Sequence, residues 1–433
     1  ISDEKLKRLT GRNFFSDEQK AGFIARQLVE TSQGAKGVTA ILQNALPDTK
    51  IVYAKASNVS EFRKSRGFLK TRAVNDFHHA QDAYLNIVVG NVYYVKFTQN
   101  PLHFIQREYA KDGKKYSYNL SRMFDWDVIR GKETAWIAGQ GKQENGTIVT
   151  VRKMMEKNTP LLTRLSFEGH GGIADQTLYS AKKASGVGYI PLKEKDTRMH
   201  DVTKYGGFNS VSTAYYILVE HGKDGKRIRT LETVPVLWKE RIEKNPHLLQ
   251  EYCEKELGLT NPSIRMKKIK MQSLIKKDGY YMHLSGKTGN QIYVRNAIPV
   301  CLEQKWLDYI KDLEKGEKAE KIAIKKNEEL YDILCGKHSE GIFRRKPNPM
   351  GEKLGKGKQM FEKLTCLEQG KVLLEILNLT RIGVTSANLA LIGGDTGTGV
   401  MRISKKITGA QEFVLVNQSV TGVYENRIDL LTV

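Results

Sequence analysis

At 433 residues, 40% of them apolar, the chain is long enough for two or three packed domains and exceeds the usual size of a single core. Lys and Arg number 70 against 48 Asp and Glu, a formal charge of +22 that is far from a neutral cytosolic enzyme and implies a polyanionic partner. Ribosomal RNA, duplex DNA and an anionic membrane surface would all satisfy that charge, because backbone electrostatics carry no sequence information. Cys253, Cys301, Cys335 and Cys366 lie tens of residues apart without a CxxC, which excludes a zinc knuckle and a disulfide framework and fits a reducing compartment.

The first residues, ISDEKLKRL, lack a signal-peptide core and an initiator methionine, and no later apolar run reaches the length of a membrane span. The chain therefore reads as a piece of something longer. Ser16-Asp17-Glu18-Gln19 has the form of a capping box, and Phe23, Ile24, Leu28 and Val29 then fall on one helical stripe. A second short helical pattern, KGVTAILQNAL, is followed by alternation at 50–55 that predicts a strand, and by the basic, aromatic-dotted SEFRKSRGFLKTR. Residues 74–90 predict a buried helix, with Asn75 and Asp76 as caps and Gly90 as its stop. From about 145, Asn145-Gly146 signals a hairpin turn, and TAYYILVEHG, RIRTLETVPVLW, DGYYMHLSG and NQIYVRNAI predict short strands. A helical stretch over 302–377 precedes a return to strand-like segments ending in NQSVTGVYENRIDLL.

The sharpest chemical cluster is His78-His79-Ala80-Gln81-Asp82. Residues three apart on a helix share a face, so His79 and Asp82 would present an imidazole beside a carboxylate, as a metal-assisted hydrolase requires. A capped helix with solvated or core-satisfied histidines fits the same spacing, and one Asp cannot hold two metals by itself. Ser285-Gly286-Lys287-Thr288-Gly289 contains the GKT of a phosphate loop, but Tyr281 stands where that motif needs its first glycine, so a hairpin turn is expected. The glycine-rich run 393–399 precedes a strand-like segment, MRISKKI, and reads as a flexible surface loop. Arg265-Met266-Lys267-Lys268-Ile269-Lys270 and Arg344-Arg345-Lys346 are singly ordinary solvated faces. Together with Lys276, Lys277, Lys405 and Lys406 they suit a duplex backbone better than single-strand stacking. Trp126, Trp136, Trp238 and Trp306 are expected in the core.

VNDFHHAQDAYLNIVVGN resembles the third RuvC motif of type II CRISPR effectors, the RNA-guided DNA endonucleases. KAGFIARQLVETSQ upstream, and TVRKMM (150–155), KYGGFNS (204–210), EKNP (243–246) and NQSVTGVYENRIDLL downstream, extend the similarity in order along nearly the whole chain. The resemblance implies an α+β architecture. A linker from the HNH domain would occupy 1–15, and an RNase H-like RuvC nuclease segment 16–158. A β-rich PAM-interacting region with a helical insertion would follow over 159–433, divided into 159–265 and 266–433.

It also implies that Asp82 is a carboxylate ligand to Mg²⁺, with Mn²⁺ as a substitute, that His79 is the general base and that His78 supports it. Gln176 and Thr177 would approach a target-strand phosphate beside Asp175, where the family pattern carries a lysine. Ser210 would face the minor groove, Arg402 would read one base of a motif other than two adjacent guanines, and Lys405 and Lys406 would lie against DNA. The implied partners are a guide RNA (crRNA with tracrRNA, or a single guide), target duplex DNA bearing the PAM, and the HNH domain, recognition lobe and earlier RuvC motifs of the remaining effector. No membrane is implied, and the setting would be antiviral defence in a bacterial cytoplasm by a monomeric nucleoprotein. Two other readings compete: a transposon-associated relative with a RuvC-like core, and a non-catalytic nucleic-acid-binding module.

Overall fold

A computed structural model of the chain describes residues 3, 6, 17–68, 70–96, 120–139, 145–157, 161–172, 178–182, 189–192, 197–208, 211–222, 225–318, 322–344, 349–381 and 386–433. It is α+β and divides into two compact units, one of Ile1–Gly67 with Asp82–Val151 and one of Phe68–Gln81 with Arg152–Val433. No helix among the described residues is long and apolar enough to cross a membrane.

In the first unit, Asp17–Ala45 is a single 29-residue helix where the sequence suggests two. Gly34 and Gly37 have open space where a side chain would be, and a helical glycine costs only about 1 kcal/mol, too little to break the run. Ser16, the expected cap, lies outside the described residues. Residues 50–55 form no strand. Val52 and Ala54 instead line the buried Gly90, where an added Cβ would sit 3.6 Å from Val52 Cγ1 and 3.4 Å from Ala54 Cβ. Gly90 is thus a point of close approach, and the helix does not stop there: it runs Phe77–Lys96. Phe62, on the helix Ala56–Ser65, meets Phe124 and Trp136 at centroid separations of 4.5 and 5.7 Å, and Trp136 Nε1 donates to the Phe124 carbonyl at 2.9 Å. Trp136 closes the hairpin of β1 (Val128–Arg130) and β2 (Glu133–Trp136), whereas Trp126 is 66% exposed and no core residue. Asn145-Gly146 leads into the helix Thr147–Met155 and turns no hairpin.

The second unit begins its sheet structure with the short pair β3 (Ile190–Pro191) and β4 (Gly207–Phe208). Gly206, in the KYGG stretch, holds φ at +80°, and a Cβ there would overlap the Tyr179 carbonyl oxygen. A three-stranded antiparallel sheet follows in the order β6-β5-β7, with β5 at Thr213–His221, β6 at Ile228–Pro235 and β7 at Ser263–Lys270. Strand alternation splits its side chains between two cores. Tyr216, Leu218, Leu231 and Ile269 join the main core, while Tyr215, Ile217, Val219 and Val234 meet Ile242, Leu249 and Cys253 on the other face.

The larger sheet has the order β11-β10-β9-β8-β12-β13 and is antiparallel throughout. Its strands are β8 (Leu274–Lys277), β9 (Tyr280–Thr288), β10 (Gln291–Asn296), β11 (Met401–Ser404), β12 (Phe413–Gln418) and β13 (Glu425–Asp429). The GKT-like residues lie in β9 and its turn to β10, with Thr288 paired to Gln291, as the missing glycine at 281 required. Among the described residues between β10 and β11 come four α-helices, Gln304–Leu313, Ile324–Lys337, Met350–Glu362 and Cys366–Thr380. The first buries Trp306, Tyr309, Ile310 and Leu313, an i, i+3, i+4, i+7 stripe, and the last starts with a capping box of Thr365 and Glu368. Leu330, Leu334, Leu354, Phe361, Leu373 and Ile376 from these helices share one core with Ile275, Met282, Leu284, Ile292 and Val294 of the sheet.

The glycine-rich run 393–399 is a built turn and no loose loop. Ala387 and Thr398 bridge, and Thr398 Oγ1 accepts from Asp395 N at 2.9 Å. All four cysteines are free thiols, and burial drives the Cys253 thiol up to about 12.

Gly206→Ala is expected to cost about 3 kcal/mol in a denaturant titration of the chain, combining a left-handed backbone with overlap on a carbonyl. Burial pushes His283 and His338 down to about 4, so below the ordinary value of 6.5 the unfolded chain binds protons that the folded one does not. Stability therefore falls as pH drops from about 6.5 towards 4, by about 3 kcal/mol per histidine. Thermal melts across that window should show the slope, and His338→Leu should remove about half of it.

Candidate functional site

The helix Phe77–Lys96 carries the chemical cluster. Asn75 fixes its start: Phe77 N donates to Asn75 Oδ1 at 3.1 Å, and Asn75 Nδ2 donates to the Val300 carbonyl at 2.9 Å. His79 N donates to the Asp76 carbonyl at 3.0 Å, closing the first turn. His78 is 6% exposed, its Nδ1 lies 3.2 Å from the Asn75 carbonyl oxygen, and burial holds its pKa below the usual imidazole value. A neutral ring that donates through Nδ1 keeps its other nitrogen as an acceptor. Its centroid lies 4.2 Å from that of His79, which is exposed. One ligand atom each from Asp76, His78 and His79 falls within a sphere where all lie within 4.8 Å of one another. Asp76 was expected only as a cap, and the short approach of its carboxylate to both rings has no signature in spacing.

Asp82 follows one turn after His79 on the same helix. Its carboxylate is paired with the guanidinium of Arg63, from the helix Ala56–Ser65. The Arg63 side chain is 7% exposed and that of Asp82 is 28% exposed. A nearly buried guanidinium thus sets the rotamer of a carboxylate that keeps one side towards solvent. In the sequence, Arg63 was one of several basic residues in SEFRKSRG, and only the tertiary pairing distinguishes it.

The donors on this helix fit a divalent cation in part. Asp82 offers carboxylate oxygen and His79 an accessible imidazole, but Mg²⁺ takes near-octahedral oxygen ligands, so these side chains make up a fraction of a shell.

The second candidate surface lies at the edge of the larger sheet. Strand β11 buries Ile403 and exposes Arg402 and Ser404, as period-2 alternation dictates. Arg402 pairs across from Tyr293 on β10 and lays its guanidinium over that ring, 5.1 Å from the centroid. Ser404 stands across from the exposed Gln291. Lys406 is exposed, and its N–H donates to Ser404 Oγ at 3.1 Å. Lys405 is placed differently: its Nζ lies 3.0 Å from Glu232 Oε1, in an internal ion pair. Gln176, Thr177, Ser210, Arg345 and Lys346 lie outside the described residues. The other basic runs are partly neutralised, Arg265 by Glu220, Lys268 by Glu168 and Lys276 by Glu412.

Against known proteins, residues 170–426, more than half of the chain, match the family model of the PAM-interacting domain of CRISPR-associated endonuclease Cas9. Residues 33–155 match that of the Cas9 RuvC domain. The chain is 28% identical over 477 aligned positions to the CRISPR-associated endonuclease Cas9 of Streptococcus mutans serotype c. It is 25% identical over 460 positions to the one of Listeria innocua serovar 6a. Each alignment covers 99% of this chain and 33% of the relative, so the chain spans a third of the length of the curated relatives it matches. With a RuvC match over the helix that bears His79 and Asp82, and a PAM-interacting match over the sheets of the second unit as far as residue 426, the chain belongs to the Cas9 family of CRISPR-associated endonucleases.

Proposed function

We propose that this chain is the C-terminal third of an RNA-guided DNA endonuclease, in which the RuvC-matched part cuts the non-target strand and the larger sheet docks duplex DNA at the PAM. The reading is carried by one observation: a helix bearing His79 and Asp82 a turn apart, with the Asp82 carboxylate clasped by Arg63, inside the RuvC-matched segment. The segments assigned to it are a linker over 1–15, a nuclease segment over 16–158 and a PAM-interacting region over 159–433. Guide RNA and target DNA are the partners, in a bacterial cytoplasm, and the rest of the effector supplies the HNH domain and the missing carboxylates. The site is accordingly incomplete without that remainder.

A bound divalent cation, Mg²⁺ in this reading, would neutralise charge on the scissile phosphate and orient the attacking water. Asp82 would be its ligand from this chain, and the ion pair with Arg63 would keep that carboxylate in one rotamer. His79, exposed at the start of the helix, takes the proton of the attacking water. His78, neutral and anchored through Asn75, packs against the His79 ring and limits its rotation. At the sheet edge, Arg402 presents a fork of donors suited to O6 and N7 of a guanine in the major groove. Lys406, Ser210, Gln176 and Thr177 would contact the duplex backbone or grooves around it.

Asp82→Asn in the full-length effector with its guide RNA should leave target binding within about threefold of the parent while converting double-strand breaks to single nicks on supercoiled plasmid. Arg63→Met should slow non-target strand cleavage by about 10–100-fold at unchanged target affinity, since it frees the carboxylate without removing it. If Arg63→Met cuts at the parental rate, the clasp plays no part in the chemistry. Arg402→Ala should relax one PAM position, at a cost of about 1–3 kcal/mol on the preferred motif. An equal loss on every motif in a PAM library would instead make Arg402 a phosphate contact.

A further inference from the structure

Glu232 occupies the middle of β6 with no exposed surface, a place where a carboxylate needs compensating charge. Its partners come from the other sheet and from the segment that follows β11. Lys405 Nζ lies 3.0 Å from one carboxylate oxygen and 3.2 Å from the other, and Lys287 Nζ, on β9, lies 3.9 Å away. His221, on β5, buries its Nε2 without a hydrogen-bond partner, and burial holds its ring towards the neutral form. The Glu232 carboxylate is therefore answered by two ammonium groups and by no other ion pair among the described residues.

The backbone makes the same junction. Leu231 N donates to the Lys405 carbonyl at 2.9 Å, Ile407 N to the Arg229 carbonyl at 2.9 Å, and Lys405 N to the Asn290 carbonyl at 3.1 Å. Arg229 N donates to Thr408 Oγ1 at 2.6 Å. Residues 405–408 are thus stitched to β6, immediately after the four residues of β11. As the edge of its sheet, β11 has β10 as its one neighbour among the described strands, so its seat depends on few contacts. Arg402 stands three residues before Lys405, about 10 Å along an extended strand.

We propose that Glu232 is a positioning residue for base reading: by holding Lys405 it seats β11, and through β11 it aims the Arg402 guanidinium, without itself reaching DNA. This rests on Arg402 reading a base, as argued above. Bidentate recognition of a base edge fails when the guanidinium is displaced by a fraction of an ångström or rotated by 10–20°. Replacing the carboxylate by an amide leaves two ammonium groups facing each other around an uncharged centre, and the segment after the edge strand β11, rather than the interior strand β9, is the one free to yield. On this account the basic character of Lys405 serves the protein interior rather than a phosphate.

The test is a PAM-library cleavage assay on the full-length effector with guide RNA, comparing the parent with Glu232→Gln, Lys405→Met, the double Glu232→Leu/Lys405→Met, and Arg402→Ala. Melting temperatures of each nucleoprotein are recorded alongside. Glu232→Gln and Lys405→Met should each flatten the PAM position that Arg402→Ala flattens, by about tenfold, and leave the other positions within about threefold. The double variant, which replaces the closer ion pair with apolar side chains of similar volume and leaves the 28% exposed Lys287 side chain to turn towards solvent, should regain discrimination relative to either single variant.

A drop in melting temperature with parental PAM weights in Glu232→Gln would make the carboxylate structural only and overturn the proposal. So would a uniform loss on all motifs with a shallower salt dependence in Lys405→Met, which is the mark of a phosphate contact. If Arg402→Ala keeps the parental weights, the base-reading assignment itself falls and the proposal with it. If Arg402→Ala flattens a position that Glu232→Gln does not, the assignment stands and the positioning role alone is lost.

Discussion

The apolar core shared by the larger sheet and the four helices between β10 and β11 is the constraint on which the C-terminal unit depends. Ile292 and Val294 project from β10 into side chains that come 10 to 85 residues later, such as Leu302, Ile310 and Leu377. Because side chains alternate along a strand, this burial fixes which residues of β10 face outwards, and pairing with β10 then fixes the same for β11. A slip of one residue would send Ile403 to solvent and Arg402 into the core. The outward aim of Arg402 is therefore dictated by apolar contacts on the opposite face of the strand.

The charge of the protein is distributed with a similar economy. Several acidic groups among the described residues are engaged by cations of neighbouring elements. Glu220 meets Arg227, Arg229 and Arg265, which together hold its carboxyl down to about 2. Glu168 meets Lys239 and Lys268, and Glu412 meets Lys276. Such contacts tie strands and loops together at the sheet surface. The remaining positive excess is left at exposed positions such as Lys267, Lys270 and Lys406, where it is available to a polyanion.

What local rules decide was legible in the sequence. The strands around Tyr216 and Tyr280, the hairpin at Gly289 and the apolar stripe of Trp306 to Leu313 all follow from period and turn chemistry. The place of the helix Phe77–Lys96 in a RuvC-like segment also followed, because its motif is contiguous. The misses share one cause, which is that the deciding contact lies far away in sequence. Gly90 looks like a helix stop, yet it is glycine because Val52 and Ala54 lie against it. The alternation at 50–55 looks like a strand, yet among the described residues no partner strand comes to it. Arg63 and Lys405 look like surface bases, and both are spent on carboxylates that no spacing rule connects to them. Trp126 shows the converse, a residue type usually buried but left at the surface.

The insertion of the four helices between β10 and β11 also has a kinetic meaning. About 100 residues separate the end of one strand from the start of its hydrogen-bonded neighbour, so this pairing has among the longest loops to close in the unit. Pairings of that kind form late, after the helices have condensed and brought the two ends together. The edge that carries Arg402 would thus be completed only once the rest of the unit has folded. A chain caught short of its native state would display the basic surface but not the completed edge, and under the proposed function it would hold nucleic acid without discriminating among sequences.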